Sequence, residues 1–183
     1  MVKLMAKQSG FTLVELMVTL TVAAILLVIA VPSFVSSMKD NRRTTYINEL
    51  VSSLNLARSE ATKSRSEIAF CPSANGEDCA GDNYDNGWIV FRNTDGDDPP
   101  VRDTDEEIIR THAGLQQDGT SLRASGGIDT GINFQPAGRP LTFGDITYCD
   151  DRGANHARVV VINLVGVIMA SGHHLDGSDP TCP

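Results

Sequence analysis

The sequence lacks the short motifs that commonly mark an enzyme. It contains no G-x-S-x-G, P-loop, H-E-x-x-H or G-x-G-x-x-G segment, and those spacings are what position a nucleophile, a phosphate, a zinc ion or a dinucleotide. Histidine is scarce, with four residues in the chain. His173 and His174 lie near Asp176 and Asp179, a group that would bind a transition metal only weakly. We therefore expect neither catalysis nor a cofactor.

Basic residues are also scarce. The chain has 15 lysines and arginines against 23 acidic residues, a net charge of −8, and removal of a leader that contains Lys3 and Lys7 would make it −10. Nucleic acids and anionic lipids bind through lysine and arginine, so this balance argues against unspecific affinity for either. We expect the remaining arginines, among them Arg139, Arg152 and Arg158, to be solvated or salt-paired.

Only one long apolar run is present. Residues 16–38 form 23 consecutive positions without a formal charge, and no second run approaches 18 residues. At about 1.5 Å per residue, a helix of this length spans roughly 34 Å, enough to cross a bilayer. Lys3 and Lys7 precede the run, which places the N-terminus in the cytoplasm and the remainder outside. We expect a single membrane crossing.

An acidic residue, Glu15, stands at the start of this run. Acidic residues cost about 2.5–3.5 kcal/mol at the centre of a membrane helix, so a chain that keeps one has a use for it. If a peptidase cuts after Gly10, Phe11 becomes a charged amino terminus one helical turn from Glu15. The carboxylate can then pair with the terminal ammonium of a neighbouring helix and fix the axial register. The alternatives are a secretory signal peptide, whose apolar region runs about 7–15 residues without an acid, and an unprocessed anchor.

The N-terminal pattern resembles a known class of precursor. Residues 1–10 are followed by Phe-Thr-Leu-Val-Glu-Leu, an order similar to that of type IV prepilins, which include type IV pilins and type II secretion pseudopilins. The resemblance implies cleavage after Gly10 by prepilin peptidase, N-methylation of Phe11 and a role in assembly for Glu15. It also implies a helix kink or local melting at Pro32, which lacks a backbone donor. The alternative for Pro32 is a plain helix boundary.

All four cysteines lie in the part that would be exported. Their even number suits an oxidising compartment, and three pairings are possible. We favour Cys71–Cys79, which are close in sequence, together with Cys149–Cys182, which would tie down a Gly/Pro-rich tail. A structural zinc site is the alternative, although neither pair has C-x-x-C spacing.

The hydrophobic pattern changes from helical to extended along the chain. Apolar residues recur every three or four positions from Met38 to Ala61, which predicts an amphipathic continuation of the helix to about Ser66. From Glu67 onward, β-branched and aromatic runs are separated by turn residues. These runs predict strands at 68–71, 87–92, 107–112, 131–134, 146–149, 158–162 and 167–170, the last two joined by a turn at 163–166. Without helices between them, the sheets should be antiparallel and the fold class α+β.

The order of elements resembles the GspH/FimT group of minor pilins and pseudopilins. Three segments carry the likeness: 57–61 late in the helix, 87–91 before an acidic loop, and 151–153 before the last hairpin. The resemblance implies a type IV pilin-like fold, in which a long N-terminal helix packs its second half against two antiparallel β-sheets. The first half would span the membrane.

Two further segments raise the question of a ligand. Residues 93–107 concentrate oxygen donors, which calcium prefers, but Asp98 stands where an EF-hand requires glycine and Pro99-Pro100 interrupts the loop. We expect a solvated hairpin loop, with calcium as the alternative. Some members of the group are DNA receptors with Gly-Arg-x-Arg in the final hairpin, where this chain has Gly-Val-Ile-Met at 166–169. The phosphate contacts are missing, so we do not expect nucleic acid as a partner.

These observations predict a leader at 1–10, a helix at 11–66 with a transmembrane part at about 11–35, and a globular β domain at 67–183. The predicted function is that of a minor pilin in the complex that starts and caps a type IV pilus. Its partners would be other minor pilins, the major pilin, a tip adhesin, prepilin peptidase and the inner membrane. The β domain would lie in the periplasm and later at the pilus tip. The alternatives are a minor pseudopilin of type II secretion and a DNA-binding minor pilin for natural transformation.

Overall fold

The described residues form one long helix, a short 3-10 helix at Ala154–His156 and a series of strands. The computed structural model describes residues 10–115 and 119–182. It divides into two compact units, residues 1–42 and 43–183. Helix α1 runs from Leu13 to Ser64, so its first part belongs to the first unit and its last part to the second. The strands that the structure describes all lie in the second unit.

Helix α1 continues through Pro32, where the sequence left two possibilities open. Proline has no backbone N–H to donate to the carbonyl of Val28, four residues earlier, yet helical structure extends on both sides of it. The alternative that Pro32 marks a helix boundary is therefore wrong. The kink at Pro32 stays a prediction.

The helix ends slightly earlier than its hydrophobic pattern indicates. We expected an end near Ser66, and α1 ends at Ser64. Arg65 adopts a left-handed backbone conformation with φ of 55°, which terminates a helix because it turns the chain out of the helical path. Strand β1 then begins at Glu67.

The described strands form two antiparallel four-stranded sheets. The first sheet has the order β3-β2-β1-β5 and the second β4-β6-β7-β8. Their bounds are β1 Glu67–Pro72, β2 Gly87–Asn93, β3 Ile108–Ala113, β4 Ser121–Ser125, β5 Ile132–Phe134, β6 Gly144–Cys149, β7 Arg158–Ile162 and β8 Ile168–Ser171. The predicted strands and the antiparallel arrangement are confirmed. Strand β4 was not predicted, because Leu122 is its one large apolar residue and the others gave no β pattern.

The core of the second unit lies between the end of α1 and both sheets. Every third or fourth helical residue is buried there, as the amphipathic pattern predicts: Ile47, Leu50, Leu54, Ala57 and Ala61. Phe70 and Trp88 of the first sheet and Ile146 and Val160 of the second belong to the same cluster. The helix therefore supplies the apolar surface that both sheets share.

Arg58 of α1 contacts both the loop that follows β5 of the first sheet and the turn between β7 and β8 of the second sheet. Arg58 donates through Nε to the carbonyl of Gly138, after β5, over 3.0 Å, and through Nη2 to the carbonyl of Val165, in the β7–β8 turn, over 3.4 Å. Gly166 has φ of 80° and lies so close that an added Cβ would collide with the Gly138 carbonyl oxygen. Only glycine fits at that point of the turn.

Each sheet carries one disulfide. Cys71 of β1 is bonded to Cys79, and Cys149 of β6 is bonded to Cys182. The pairing that we favoured from the sequence is confirmed. The zinc alternative is wrong, because all four sulfur atoms are used in disulfides.

Candidate functional site: the start of the apolar helix

Thr12 and Glu15 form a reciprocal cap at the start of α1. The backbone N–H of Glu15 donates to Thr12 Oγ1 over 3.2 Å, while the backbone N–H and the hydroxyl of Thr12 donate to Glu15 Oε2 over 3.3 and 3.2 Å. This is a capping box, in which two amides that the helix leaves unpaired are satisfied by side chains. We did not predict this cap from the sequence, although the T-x-x-E spacing of Thr12 and Glu15 is its usual signature.

The cap fixes the position of Glu15, the predicted assembly residue. Glu15 is exposed, as are Gly10, Phe11 and Thr12 beside it. A carboxylate in the first turn lies at the positive end of the helix dipole, which stabilises its charge. The predicted cleavage site, the predicted methylation site and the predicted assembly residue thus occupy one exposed helix start.

Beyond the cap, the first unit exposes a continuous apolar surface. Between residues 10 and 38 the large hydrophobic side chains are all well exposed: Phe11, Leu13, Val14, Leu16, Met17, Val18, Leu20, Val22, Ile25, Leu26, Leu27, Val28, Ile29, Val31, Phe34, Val35 and Met38. The hydroxyls of Thr19 and Thr21 donate to helical carbonyls over 2.9 and 2.8 Å, so they need no partner outside the helix. In the part of this surface that contains Thr19 and Thr21, the two hydroxyls are therefore satisfied within the helix.

By length and composition α1 is able to cross a membrane, and it is the one such helix among the residues described. Core helices of soluble proteins and signal sequences can meet the same criteria. The most apolar stretch of α1, however, has none of its residues buried within the structure, which distinguishes it from a core helix.

The acidic segment forms the loop between β2 and β3, as we expected, but one of its acids is not solvated. Glu106 is buried, and its carboxylate accepts hydrogen bonds from the backbone N–H groups of Thr94 and Asp103. Burial raises the pKa of the Asp97 carboxyl, and the nearby charges of Asp95 and Glu106 raise it further, although hydrogen bonds oppose them. In the described part of the chain no group of three or more His, Cys, Asp or Glu residues is placed to hold a metal ion.

The histidines near the C-terminus do not act as one group. His173 Nδ1 lies 2.9 Å from Asp179 Oδ1, whereas His174 Nδ1 lies 2.8 Å from Asp145 Oδ1 of β6. Asp176 is bonded by the backbone and hydroxyl of Ser178. The weak metal group suggested by the sequence is therefore divided between two separate His–Asp contacts.

The final hairpin presents apolar side chains where the DNA receptors of the group carry arginines. Val167 and Met169 stand at the two arginine positions and are 36% and 49% exposed. Of the arginines that we noted in the sequence, Arg152 is paired with Asp150 over 2.7 Å and Arg158 donates to its neighbour's carbonyl. Both of these arginines are thus bonded within the chain.

An exposed apolar helix with a capped acid, followed by two antiparallel sheets, defines a type IV pilin-like protein. Two family models match the chain: one described as "Prokaryotic N-terminal methylation motif" covers residues 5–31, and one described as "Type II transport protein GspH" covers residues 46–166. Since the second match includes well over half of the chain, the protein belongs to the GspH family.

Solved structures agree on the fold. Two crystal structures of the type IV minor pilin FimU from Pseudomonas aeruginosa are similar to this chain, at 19% identity in each case. One has a TM-score of 0.54 and covers 73% of this chain and 90% of FimU; the other has a TM-score of 0.51 and covers 70% and 91%. At this identity the likeness concerns the fold alone. Among curated proteins no sequence matches the chain.

Proposed function

We propose that this protein is a minor pilin of a type IV pilus, and that it acts in the tip complex that starts assembly. The observation that carries the proposal is the exposed apolar helix that begins with the Thr12–Glu15 cap directly after Gly10 and Phe11. FimU, described as a type IV minor pilin, has a similar fold, which supports a minor pilin. The role is structural, and no catalytic step is assigned to the chain.

Processing prepares the helix for assembly. Prepilin peptidase removes residues 1–10 and methylates the new amino terminus at Phe11, in agreement with the methylation motif. Before assembly the apolar part of α1, about residues 11–35, lies in the inner membrane, and the globular β domain, residues 67–183, lies in the periplasm. The positive-inside rule supports this orientation, since Lys3 and Lys7 precede the helix.

Assembly then exchanges lipid for neighbouring helices. The apolar surface of α1 packs against the helices of other minor pilins and of the major pilin, and the carboxylate of Glu15 pairs with the terminal ammonium of an adjacent subunit. In a fibre interior with little water such a pair is weakly screened, and an unpaired acid is costly. A subunit shifted along the axis would leave its acid unpaired, so the pair selects one register. The β domain carries the outer contacts, including that to a tip adhesin.

Replacement of Glu15 tests this proposal. The Glu15→Ala variant should be cleaved and held in the membrane like the wild type, but its incorporation into sheared fibres should fall at least about tenfold, the loss expected for removal of one buried charged partner. Glu60→Ala is the matched control, because Glu60 lies on the same helix and pairs only with the exposed Lys63. Quantitative immunoblots of sheared fibres and membranes provide the measurement. Equal incorporation of the Glu15→Ala variant would contradict the register argument.

A second candidate is a minor pseudopilin of a type II secretion system. The observation in its favour is the description of the matching family, "Type II transport protein GspH". The processed helix serves both machines by the same chemistry and cannot separate them. A deletion strain, scored for surface pili, twitching and secretion together, decides between the two candidates. Loss of secretion with normal piliation would replace the pilus proposal by the pseudopilus.

A further inference from the structure

The two sheets have four outer edges, and the chain itself covers two of them. The outer edges are those of β3 and β5 in the first sheet and of β4 and β8 in the second. Beside β5, the backbone N–H of Leu141 donates to the Asn133 carbonyl over 2.9 Å; beside β4, that of Tyr84 donates to the Leu122 carbonyl over 3.2 Å. An uncovered edge presents backbone donors and acceptors with which another strand can pair, so proteins usually protect it.

The edge of β3 carries such protection. The register between β2 and β3 shifts between Val90 and Phe91, and Arg110 places a charge on the strand. The hydroxyl of Thr111 also donates to the backbone carbonyl of Gly76 over 3.4 Å, so a loop of the chain lies against β3. An irregular register and a charge both disfavour the addition of a further strand.

The edge of β8 has none of these protections. Its residues, Ile168–Ser171, include no charge and no proline, and their pairing with β7 has no register shift. Residues 172–182 return towards β6, where the Leu175 N–H donates to Asp145 Oδ2, and β7 separates β6 from β8. Among the residues that the structure describes, only β7 supplies backbone hydrogen bonds to β8.

The hydrogen-bond pattern of the β7–β8 hairpin shows which backbone groups face outward. Next to the turn, the backbone N–H of Asn163 donates to the carbonyl of Val167, directly opposite, over 3.1 Å. Opposite residues of an antiparallel pair alternate between bonded and non-bonded positions. The second and fourth residues of β8 are therefore bonded to β7. The N–H and C=O groups of the first and third residues, Ile168 and Ala170, point away from it.

The surroundings of this edge are apolar and positively charged. Val167 and Met169 are partly exposed beside it and, as alternate residues, face the same side. Residues 152–175 contain no acidic side chain, although the chain has a net charge of −8. Arg158 is exposed at the start of β7, and Arg58 lies against the β7–β8 turn. The edge is thus complementary to a strand with apolar residues at alternate positions and acidic residues at its ends.

We propose that the edge of β8 accepts an extended segment of another protein subunit, which adds a fifth strand to the second sheet. The backbone of this segment bonds to Ile168 and Ala170. Its apolar side chains pack beside Met169, and its acidic residues lie near Arg58 and Arg158. Such strand addition obtains affinity from the backbone bonds and specificity from alternate side chains. A second copy of β8 fits less well, because it would bring a second set of arginines to the same edge.

A synthetic peptide tests the proposal. The probe has eight residues, with valine and threonine alternating between a glutamate at each end, and is titrated into the full-length chain in detergent with the disulfides intact. At saturation, hydrogen exchange of the Ile168 and Ala170 amides should slow about tenfold, the effect of one new backbone hydrogen bond at each. The Met169 and Ser171 amides, already bonded to β7, should change much less. Absence of saturable binding, or unchanged exchange at Ile168 and Ala170, would overturn the proposal.

A proline at the outward position blocks the predicted pairing. Ala170→Pro removes an N–H that does not bond to β7, and edge strands tolerate proline at such positions. Peptide binding should weaken at least about tenfold. The matched control, Ala170→Val, keeps the N–H and should bind like the wild type. Circular dichroism checks that both variants are folded, and the exchange measurement on the wild type decides the question if the proline variant is not. Equal binding by a folded proline variant would contradict the proposal.

Two further measurements test which occupant the edge takes. A peptide with lysine in place of each glutamate should bind about threefold more weakly, and equal binding would contradict the charge complementarity. Sedimentation of the chain alone should show no dimer that depends on this edge. A dimer that Ala170→Pro abolishes would make the occupant a second copy and overturn the proposed one. None of these results bears on the pilus proposal, which depends on the start of α1.

Discussion

The two units use the same kinds of apolar residue in opposite ways. In the first unit Leu20 and Ile25 are 62% and 58% exposed, whereas in the second Leu50, Leu54 and Trp88 are fully buried. The second unit thus buries most of its large apolar side chains in its own core, and it has two disulfides. The first unit leaves that surface for a membrane or for other helices to cover. Changes in the second unit should therefore alter stability, and changes in the first should alter assembly.

The largest loss of stability should follow removal of the Trp88 side chain. Trp88 is fully buried and stacks on His112 with ring centroids 3.9 Å apart. Trp88→Ala should lower the free energy of unfolding by about 3–5 kcal/mol, measured by urea titration followed with circular dichroism, while cleavage after Gly10 stays normal. Trp88→Phe, the control, keeps most of the ring volume and should cost less. A loss below about 1 kcal/mol in the alanine variant would show that this core does not support the second unit.

The two disulfides should make the next largest contributions to the free energy of unfolding, and the two contributions should differ. Cys149–Cys182 spans 33 residues and Cys71–Cys79 spans 8. In the chain-entropy description, replacing both cysteines by alanine should cost about 4 kcal/mol for the longer loop and about 2.5 kcal/mol for the shorter one. Urea unfolding of the two double variants measures both values. The reverse order would mean that unfolded-chain entropy does not govern their contribution.

The pair of Arg152 and Asp150 should contribute somewhat less, in a pH-dependent way. Burial alone would raise the pKa of the Asp150 carboxyl, but hydrogen bonds and charge from Arg152 outweigh it and lower the pKa. Arg152→Gln removes the cation beside a nearly buried carboxylate, which keeps the backbone N–H of residue 152 as a donor, and should cost about 3 kcal/mol at neutral pH. Because the folded pKa is depressed, this stability is present above the unfolded pKa of about 3.9 and is lost as the pH falls through the folded value.

The measurement for Arg152 is urea unfolding of both proteins at about pH 7 and about pH 3. The difference between wild type and Arg152→Gln should shrink at the lower pH, since the unfolded chain then gains a proton at Asp150 that the lowered pKa of the folded wild type disfavours. Arg158→Gln is the control, because Arg158 is exposed and donates to a backbone carbonyl. A difference that stays constant with pH would assign the loss to packing and not to charge.

The smallest effect is expected at the helix start. Thr12→Val removes the hydroxyl that accepts the Glu15 N–H, at a cost of about 1 kcal/mol, or roughly fivefold faster exchange of that amide. Thr12→Ser keeps the cap and is the control. The unfolding free energy of the second unit should not change in either variant. A fall would mean that the helix start contributes to the stability of the second unit, contrary to the division between stability and assembly drawn above.

Much of this structure could be predicted from the sequence. The single apolar run, the amphipathic stripe up to Ala61 and the β-branched runs each have a period that fixes the kind of element. The cysteine pairs followed from closeness in sequence for Cys71–Cys79 and from the composition of the tail for Cys149–Cys182. The N-terminal processing motif is one continuous stretch of sequence, and the family model for the N-terminal methylation motif matches residues 5–31.

The remainder depended on contacts between distant segments. Strand β4 is polar and joins its sheet only because β6 offers a partner for its backbone. The end of α1 is set by the left-handed conformation of Arg65, a residue type with no such preference. The pairing of His174 with Asp145 joins residues 29 positions apart, and no spacing in the sequence indicates it.

The hydrogen bond from Arg58 to the β7–β8 turn limits which sequences this hairpin can have. The guanidinium binds the backbone carbonyl of Val165 and not the Val165 side chain. The outward side chains at the tip of the hairpin can therefore vary, whereas the number of residues in the turn cannot. Side chains for contact with protein, sugar or phosphate can be exchanged there without disturbing the scaffold. An inserted or deleted residue would carry the carbonyl out of reach, and a lysine, with one compact ammonium in place of a rigid fork, would not bridge both loops.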